Sequence, residues 1–480
     1  MSVGESDRAK VPRTQGKSDA GDPGEGRARQ GGATSEGHMG GAQKPKAMSP
    51  ELRRIAEKAR EDHRVQFTSL AHLLTVEALE AAWKALKKRS SAGIDGVTAA
   101  EYERDLRGNL ERRHERLRAG QYVAPPVRRS YVPKEGAGLR PIGVPTIEDT
   151  IAQAAVARIL SAIYAQDFLP CSYGFRPGRS PPDALDALNQ AIIRGKVNWV
   201  FDADISAFFD RLDKGVLRRF LEHRVKDRSL LRLIAKWRHA GGLEDGVVYH
   251  PETGTPQGGV ISPILANVYL HYALALWAER VMRRQLRGEF YLVRYADDVV
   301  FAFPYPDDAA RFAEALRARL GKFGLRLNDA KTRLIEFGRF AKERAARRNQ
   351  KPETFDFLGL THICGTSRTG RFMVRRRTAS GRLRRAISRV AAWCREHRHL
   401  SVEGQWRYLC SVLRGHFQYY GVTGNFRSLK GFRQQLTRAW RKWLDRRSQR
   451  GRMSWGRFAA VLHRYPLPAA WVPQSVYRLA

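Results

Sequence analysis

Cysteine is scarce. There are four in 480 residues, Cys171, Cys364, Cys394 and Cys410, scattered and without a Cys-x-x-Cys pair. That spacing argues against a zinc finger or ribbon and supplies no disulfide framework, and it fits a reducing, intracellular compartment. Long apolar runs are missing as well. No stretch approaches the roughly 20 apolar residues of a spanning helix, and no apolar segment follows the first basic residues as in a secretory leader. Acidic residues are few beside basic ones: 48 Asp and Glu stand against 86 Lys and Arg, a formal charge of +38. Such an excess opposes compaction unless a polyanion neutralises it. With a membrane disfavoured, nucleic acid is the expected partner, held by contacts that weaken steeply with salt.

The length predicts two or three domains plus a tail. Residues 1–50 are rich in Gly, Ser, Ala, Lys and Arg and nearly free of aromatics, which predicts a disordered basic tail. Helical spacing follows over 76–86, with Thr75 as N-cap, and over 98–117. Residues 127–134 and 139–145 read as a hairpin about a Gly-rich turn, and 147–164 and 183–193 as helices. A strand over 199–205 and a helix over 216–237 come next; Gly258-Gly259 opens a further helix that runs to residue 270. Two apolar strands flank Asp297-Asp298, a helix covers 307–323, and 333–337 and 355–360 are further strands. After about Arg375 the chain turns helical and strongly basic. The expected class is α+β with a helical C-terminal domain.

The informative object is Tyr295-Ala296-Asp297-Asp298. Two adjacent carboxylates at a tight turn between apolar strands repel each other and are poorly solvated. Taken alone the pair is an ordinary Asp-Asp turn. Asp204 changes the reading, because it ends another apolar strand. If the strands are neighbours, Asp204 and Asp297 converge at one sheet edge, and Ile205 adds a backbone carbonyl. Carboxylates so placed suit a two-metal site for in-line phosphoryl transfer, with Mg²⁺ the expected ion. Lys134 and Arg140, flanking the hairpin turn, would clamp a triphosphate, or would be a solvated strand edge. Gln257, ahead of Gly258-Gly259, would approach a nucleotide, or would lie in a simple loop.

At these residues the chain resembles a group II intron-encoded reverse transcriptase, also called a maturase. The ordered matches begin with Gly93-Ile94-Asp95-Gly96-Val97, Tyr131-Val132-Pro133-Lys134 and Arg140-Pro141-Ile142-Gly143. They continue with Ser172-Tyr173-Gly174-Phe175-Arg176-Pro177, Asp204-Ile205 with Phe208-Phe209-Asp210, and Pro256-Gln257-Gly258-Gly259-Val260-Ile261-Ser262-Pro263. Tyr295-Ala296-Asp297-Asp298, Leu327-Asn328-Asp329-Ala330-Lys331-Thr332 and the 355–360 strand complete the series, which spans about residues 65–450.

The resemblance implies a right-hand polymerase with reverse-transcriptase fingers and palm over 51–365 and an α-helical thumb/maturase domain over 375–450, leaving 451–480 as a C-terminal tail. It implies that Asp204 and Asp297 hold two Mg²⁺ ions, with Mn²⁺ as a substitute, and that Asp298 completes the set. Phe208 would be the gate against a ribose 2′ hydroxyl, an aromatic that periodicity alone would place in the core. Lys134 and Arg140 would meet the triphosphate, Gln257 the nascent pair, and Lys331 the leaving pyrophosphate as general acid. The substrates implied are dNTPs, an RNA template and a DNA primer; the partners, group II intron RNA and target DNA; the location, the cytoplasm near the nucleoid. Leu413-Arg414-Gly415-His416-Phe417-Gln418-Tyr419-Tyr420-Gly421 carries the maturase likeness, with Arg414, His416, Tyr419 and Tyr420 as RNA contacts. Trp440 and Trp443, three apart on a helix, would be core residues, or platforms on which unpaired bases stack. No Cys/His cluster of an HNH endonuclease follows residue 450, so the primer is expected from elsewhere, for instance a replication fork. The competing readings are a splicing maturase without polymerase activity and a related reverse transcriptase serving CRISPR spacer acquisition or repair. The presence of Asp204, Asp297 and Asp298 weighs against the first, and the maturase-like C-terminal region against the second.

Overall fold

The computed structural model describes residues 48–88, 90–133, 138–244, 247–249, 258–367, 369–448 and 452–473. The expected tail up to residue 47, Lys134, Gln257 and the side chain of Arg140 lie outside the described residues. Among the described residues no helix is long and apolar enough to cross a membrane.

In chain order the strands are β1 (Val127–Pro133), β2 (Leu139–Val144), β3 (Trp199–Asp204), β4 (Gly242–Glu244), β5 (Val247–Tyr249), β6 (Tyr291–Tyr295), β7 (Asp298–Phe303), β8 (Arg333–Glu336), β9 (Thr354–Phe357), β10 (Leu360–Thr366) and β11 (Phe372–Thr378). They form three sheets, ordered β2-β1-β4-β5, β6-β7-β3-β8 and β11-β10-β9. The fold is α+β, as expected, and the second sheet is its centre.

All pairings in that central sheet are antiparallel. Its pleat separates two cores. Phe201, Ala203, Val299 and Phe301 join one apolar cluster with the helices Ile147–Asp167 and Ser262–Leu270. Val200, Val293, Val300 and Ala302 join a second with the helix Pro181–Arg194. With both faces covered, the strands carry near-continuous apolar runs, and polar residues there stand out.

Several expected elements divide. The predicted 98–117 helix is two, Ala99–Glu103 and Leu106–Arg118, because Asp105 caps the second by accepting from the Gly108 N–H. The 216–237 helix likewise splits into Lys214–Glu222 and Arg228–His239. Asp227 begins the latter, and its carboxylate accepts from the Leu230, Leu70 and Ala71 N–H groups. Residues 355–360 are not one strand. Leu358 and Gly359, at φ of 51° and 74°, turn β9 back into β10.

The helical region begins after β11, at Ser380, rather than near Arg375. It comprises Ser380–Glu396, Val402–Tyr420, Phe426–Asp445 and Trp455–Arg464. Leu429, Phe432, Leu436, Trp440 and Leu444 mark one helix stripe of its core. Residues 451–480 were expected to be a tail, but the described part, 452–473, is not: Phe458 and Leu467 are buried in the same core. The apolar stripe of Trp455–Arg464 has to be covered, and the bundle covers it.

Candidate active site

The central sheet positions the carboxylates. Asp204 is the last residue of β3, and its cross-strand partner is Asp298, not Asp297. Asp298 in turn pairs with Tyr295 across the β6–β7 hairpin, leaving Ala296 and Asp297 as the turn. Ala296 has a φ of 57°, a left-handed conformation that costs a non-glycine residue about a kilocalorie or more. Asp202, two residues before Asp204, shares its face of β3. Asp204, Asp297 and Asp298 are all half-buried.

The electrostatics of this cluster run one way. The pKa of Asp298 is raised, first by desolvation and then by Asp297, Asp202 and Asp204, with Arg382 opposing. Asp202 is pushed up to about 7 by desolvation, partly countered by Arg333 and reinforced by Asp204 and Asp356. Cations relieve such crowding. One protein cation already stands near: the Lys331 ammonium lies 3.8 Å from Asp204 Oδ2. Among the described residues no group of three acidic, His or Cys side chains is arranged to hold a metal alone. An all-oxygen set of one or two carboxylates, completed by substrate phosphates, is how Mg²⁺ is usually bound, so the donors here fit it.

The segment bearing Lys331 is tied to the end of β3. Asn328 donates its N–H to Asp204 O at 2.8 Å, Ser206 N–H to Arg326 O at 2.9 Å, and Asp204 N–H to Thr332 Oγ1 at 3.3 Å. Ile205 bridges to Leu327. The motif at 327–332 and Asp204, far apart in sequence, thus form one wall.

Beneath the Asp297 turn lies a network that sequence reading missed. Arg294, 0% exposed, donates from Nη1 to Asn267 Oδ1 at 2.9 Å and to the Ala296 carbonyl at 3.0 Å, and from Nη2 to Ser172 Oγ at 2.6 Å. Burial lowers its pKa to about 10, so the guanidinium keeps its charge at neutral pH. Asn267 passes the support on, donating to Gly174 O at 2.7 Å. Gly174 must lack a side chain: a Cβ there would sit 2.4 Å from the Ala296 nitrogen. Arg176 fastens the same loop through the carbonyls of Ala165, Leu169 and Ser172. The Ser172–Pro177 motif is therefore the seat of the Tyr295–Asp298 turn. The available signal was an arginine inside an apolar strand, between Val293 and Tyr295.

On the other side, Gly258 (φ 120°) lies against β2, where a Cβ would meet Gly143 O at 2.3 Å. Gly258 therefore brings the start of the segment that leads into the Ser262–Leu270 helix against β2. Phe208 is 2% exposed and packs edge-on to Phe209 and Tyr269 in the core, whereas Phe209 is half-buried.

The expected RNA contacts separate in the same way. Arg414 is exposed. His416 is stacked on Phe432, with ring centroids 3.9 Å apart, and lies 4.7 Å from Tyr420; burial lowers its pKa to about 4. Tyr419 donates its hydroxyl to Leu358 O at 3.3 Å. Tyr420 packs against the second apolar cluster. Tyr419 and Tyr420 thus dock the helical region onto the β9–β10 turn, while His416 packs within the helical region against Phe432.

Residues 132–362 match the sequence profile of the family described as reverse transcriptase (RNA-dependent DNA polymerase). This stretch, which holds the whole central sheet, is thus similar to reverse-transcriptase domains. Group II intron-encoded protein LtrA of Lactococcus lactis subsp. cremoris is 34% identical over 222 residues, 46% of this chain and 37% of that protein. Protein YkfC of Escherichia coli is 33% identical over 233 residues, 47% of this chain and 61% of that protein. Nuclear intron maturase 4, mitochondrial, of Arabidopsis thaliana is 30% identical over 131 residues, 26% of this chain and 16% of that protein. The matches thus span less than two thirds of each of these relatives.

Proposed function

We propose that this chain is an RNA-directed DNA polymerase encoded by a group II intron, and that its helical region binds intron RNA as a maturase to promote splicing and mobility. The observation that carries the polymerase reading is the register of β3 against β7, which sets Asp204 beside Asp298 and next to the Asp297 turn. Asp204 and Asp297 would hold two Mg²⁺ ions, with Asp298 behind them and the Ile205 carbonyl alongside. When bound, the ions supply Lewis-acid activation of the primer 3′ hydroxyl and stabilise the leaving oxygen. Lys331, at 3.8 Å from Asp204, holds a proton at Nζ that it can give to the departing pyrophosphate. Lys134, Arg140 and Gln257 would meet the nucleotide from the hairpin and the adjoining loop.

The sugar gate is better assigned to Phe209 than to Phe208. A gate must offer its ring to the substrate, and Phe208 is committed to the core. Template RNA, primer DNA and dNTPs are the substrates, and the +38 charge suits the polyanions.

The test is primer extension by the purified protein on an annealed RNA template and DNA primer with dNTPs and Mg²⁺. Wild-type protein should give extended product, and Asp297→Ala should lose activity by about a thousandfold or more. Extension unchanged in Asp297→Ala would remove the site assignment.

A further inference from the structure

Two tryptophans that sequence spacing assigns alike are treated differently by the fold. Trp440 is 0% exposed and donates from Nε1 to Gln405 Oε1 at 2.9 Å. Trp443, three residues on, is half-buried and lines a groove of about 400 Å³ between the helices Ser380–Glu396 and Phe426–Asp445. Ala391 and Ala439 keep the floor shallow, while Arg395, Arg438 and Lys442 stand on the walls. All three cations are exposed, and among the described residues none forms an ion pair with a carboxylate. Lys442 and Arg446 also stand 5.5 and 5.3 Å from the Trp443 ring, enriching it as a site for flat, electron-rich groups.

We infer that this groove binds one unpaired nucleotide of RNA, its base stacked on Trp443 and its flanking phosphates held by Arg395, Arg438 and Lys442. The reasons are complementarity and size. Exposed cations call for an anion, and a half-buried indole beside small alanine side chains suits a planar ring. A groove of about 400 Å³ is large enough to admit a base. The site rests on the reading of the helical region as RNA-binding. It replaces His416, Tyr419 and Tyr420, which the fold uses for packing, with residues that remain accessible.

The experiment uses the full chain and a 15-nucleotide single-stranded RNA carrying 2-aminopurine at its centre, read by 2-aminopurine fluorescence and by anisotropy. Wild type should bind and quench the fluorophore. Trp443→Ala should lose the quench and bind about 5- to 150-fold more weakly, the effect of one lost base stack. Trp443→Phe should restore the quench, and Arg395→Gln with Arg438→Gln should lower the salt slope by about 1.4. Thermal melts guard against unfolding; if Trp443→Ala melts early, Trp443→Phe and the arginine pair decide. Trp443→Ala that quenches and binds like wild type overturns this site while leaving RNA binding intact. Wild-type protein that binds no RNA at low salt overturns both the site and the reading beneath it.

Discussion

Replacing Arg294 by Met is the sharpest probe of how the catalytic turn is held. Methionine has a similar length and no donor. The change removes bonds of 2.9, 3.0 and 2.6 Å to Asn267, Ala296 and Ser172, leaving three acceptors in a sealed space. Each bond from a charged donor contributes about 1.5–3 kcal/mol, but burying the guanidinium costs several kcal/mol in return. The net loss of stability should be about 3–5 kcal/mol, as for other buried charges stripped from their partners. The functional effect is separate. With the Ala296 carbonyl released, the left-handed turn relaxes and Asp297 moves. A displacement of about 1 Å at a reacting centre costs about 100-fold in rate. Because none of the three bonds touches a nucleotide, kcat should carry the loss while KM for dNTP changes little. Single-turnover extension beside a thermal melt separates the two effects. Arg294→Lys should recover only part of the rate, since an ammonium lacks the planar fork that reaches three acceptors. A folded Arg294→Met protein that extends primers at the wild-type rate would refute the reasoning.

Two further predictions follow from the same strands. Phe208→Ala should destabilise the fold by about 3–5 kcal/mol, whereas Phe209→Ala, at a half-buried ring, should cost clearly less and raise ribonucleotide incorporation about tenfold or more; the opposite pattern would return the gate to Phe208. Asp202 has a folded pKa raised to about 7, so the native state binds the extra proton and stability falls as pH rises from about 4 through 7. In EDTA, Asp202→Asn should therefore melt higher than wild type at pH 8, with the gain vanishing toward pH 4; an equal gain at both pH values would contradict it.

What was legible in the sequence was what repeats or what is out of place. The apolar strands ending in Asp204 and preceding Asp297, and the order of the motif blocks, are local patterns. They sufficed for the class of fold and for placing Asp204 near the Asp297 turn if the strands pair. Register is not local: that Asp298 rather than Asp297 faces Asp204 follows from strand pairing. The β9–β10 turn escaped because Leu358 adopts a left-handed conformation that its side chain does not advertise. Arg294 escaped because an arginine on a strand reads as a solvent-facing residue, and only the tertiary fold brings Ser172 and Asn267 to it. Trp440 and Trp443 could not be told apart by spacing, since helix neighbours three residues apart straddle the edge of a buried stripe.

The closing of the helical core has a consequence for how the protein is made. The larger apolar cluster draws its buried members from residues 52–327, with Leu334 packed against it. The helical core draws on Val390 at one extreme and Leu467 at the other. On the ribosome that cluster therefore has its parts first, while the helices behind it wait with an open apolar seam. The stretch that fills the seam is synthesised after the helices it closes, and a chain stopped near residue 450 would emerge with that seam unsealed.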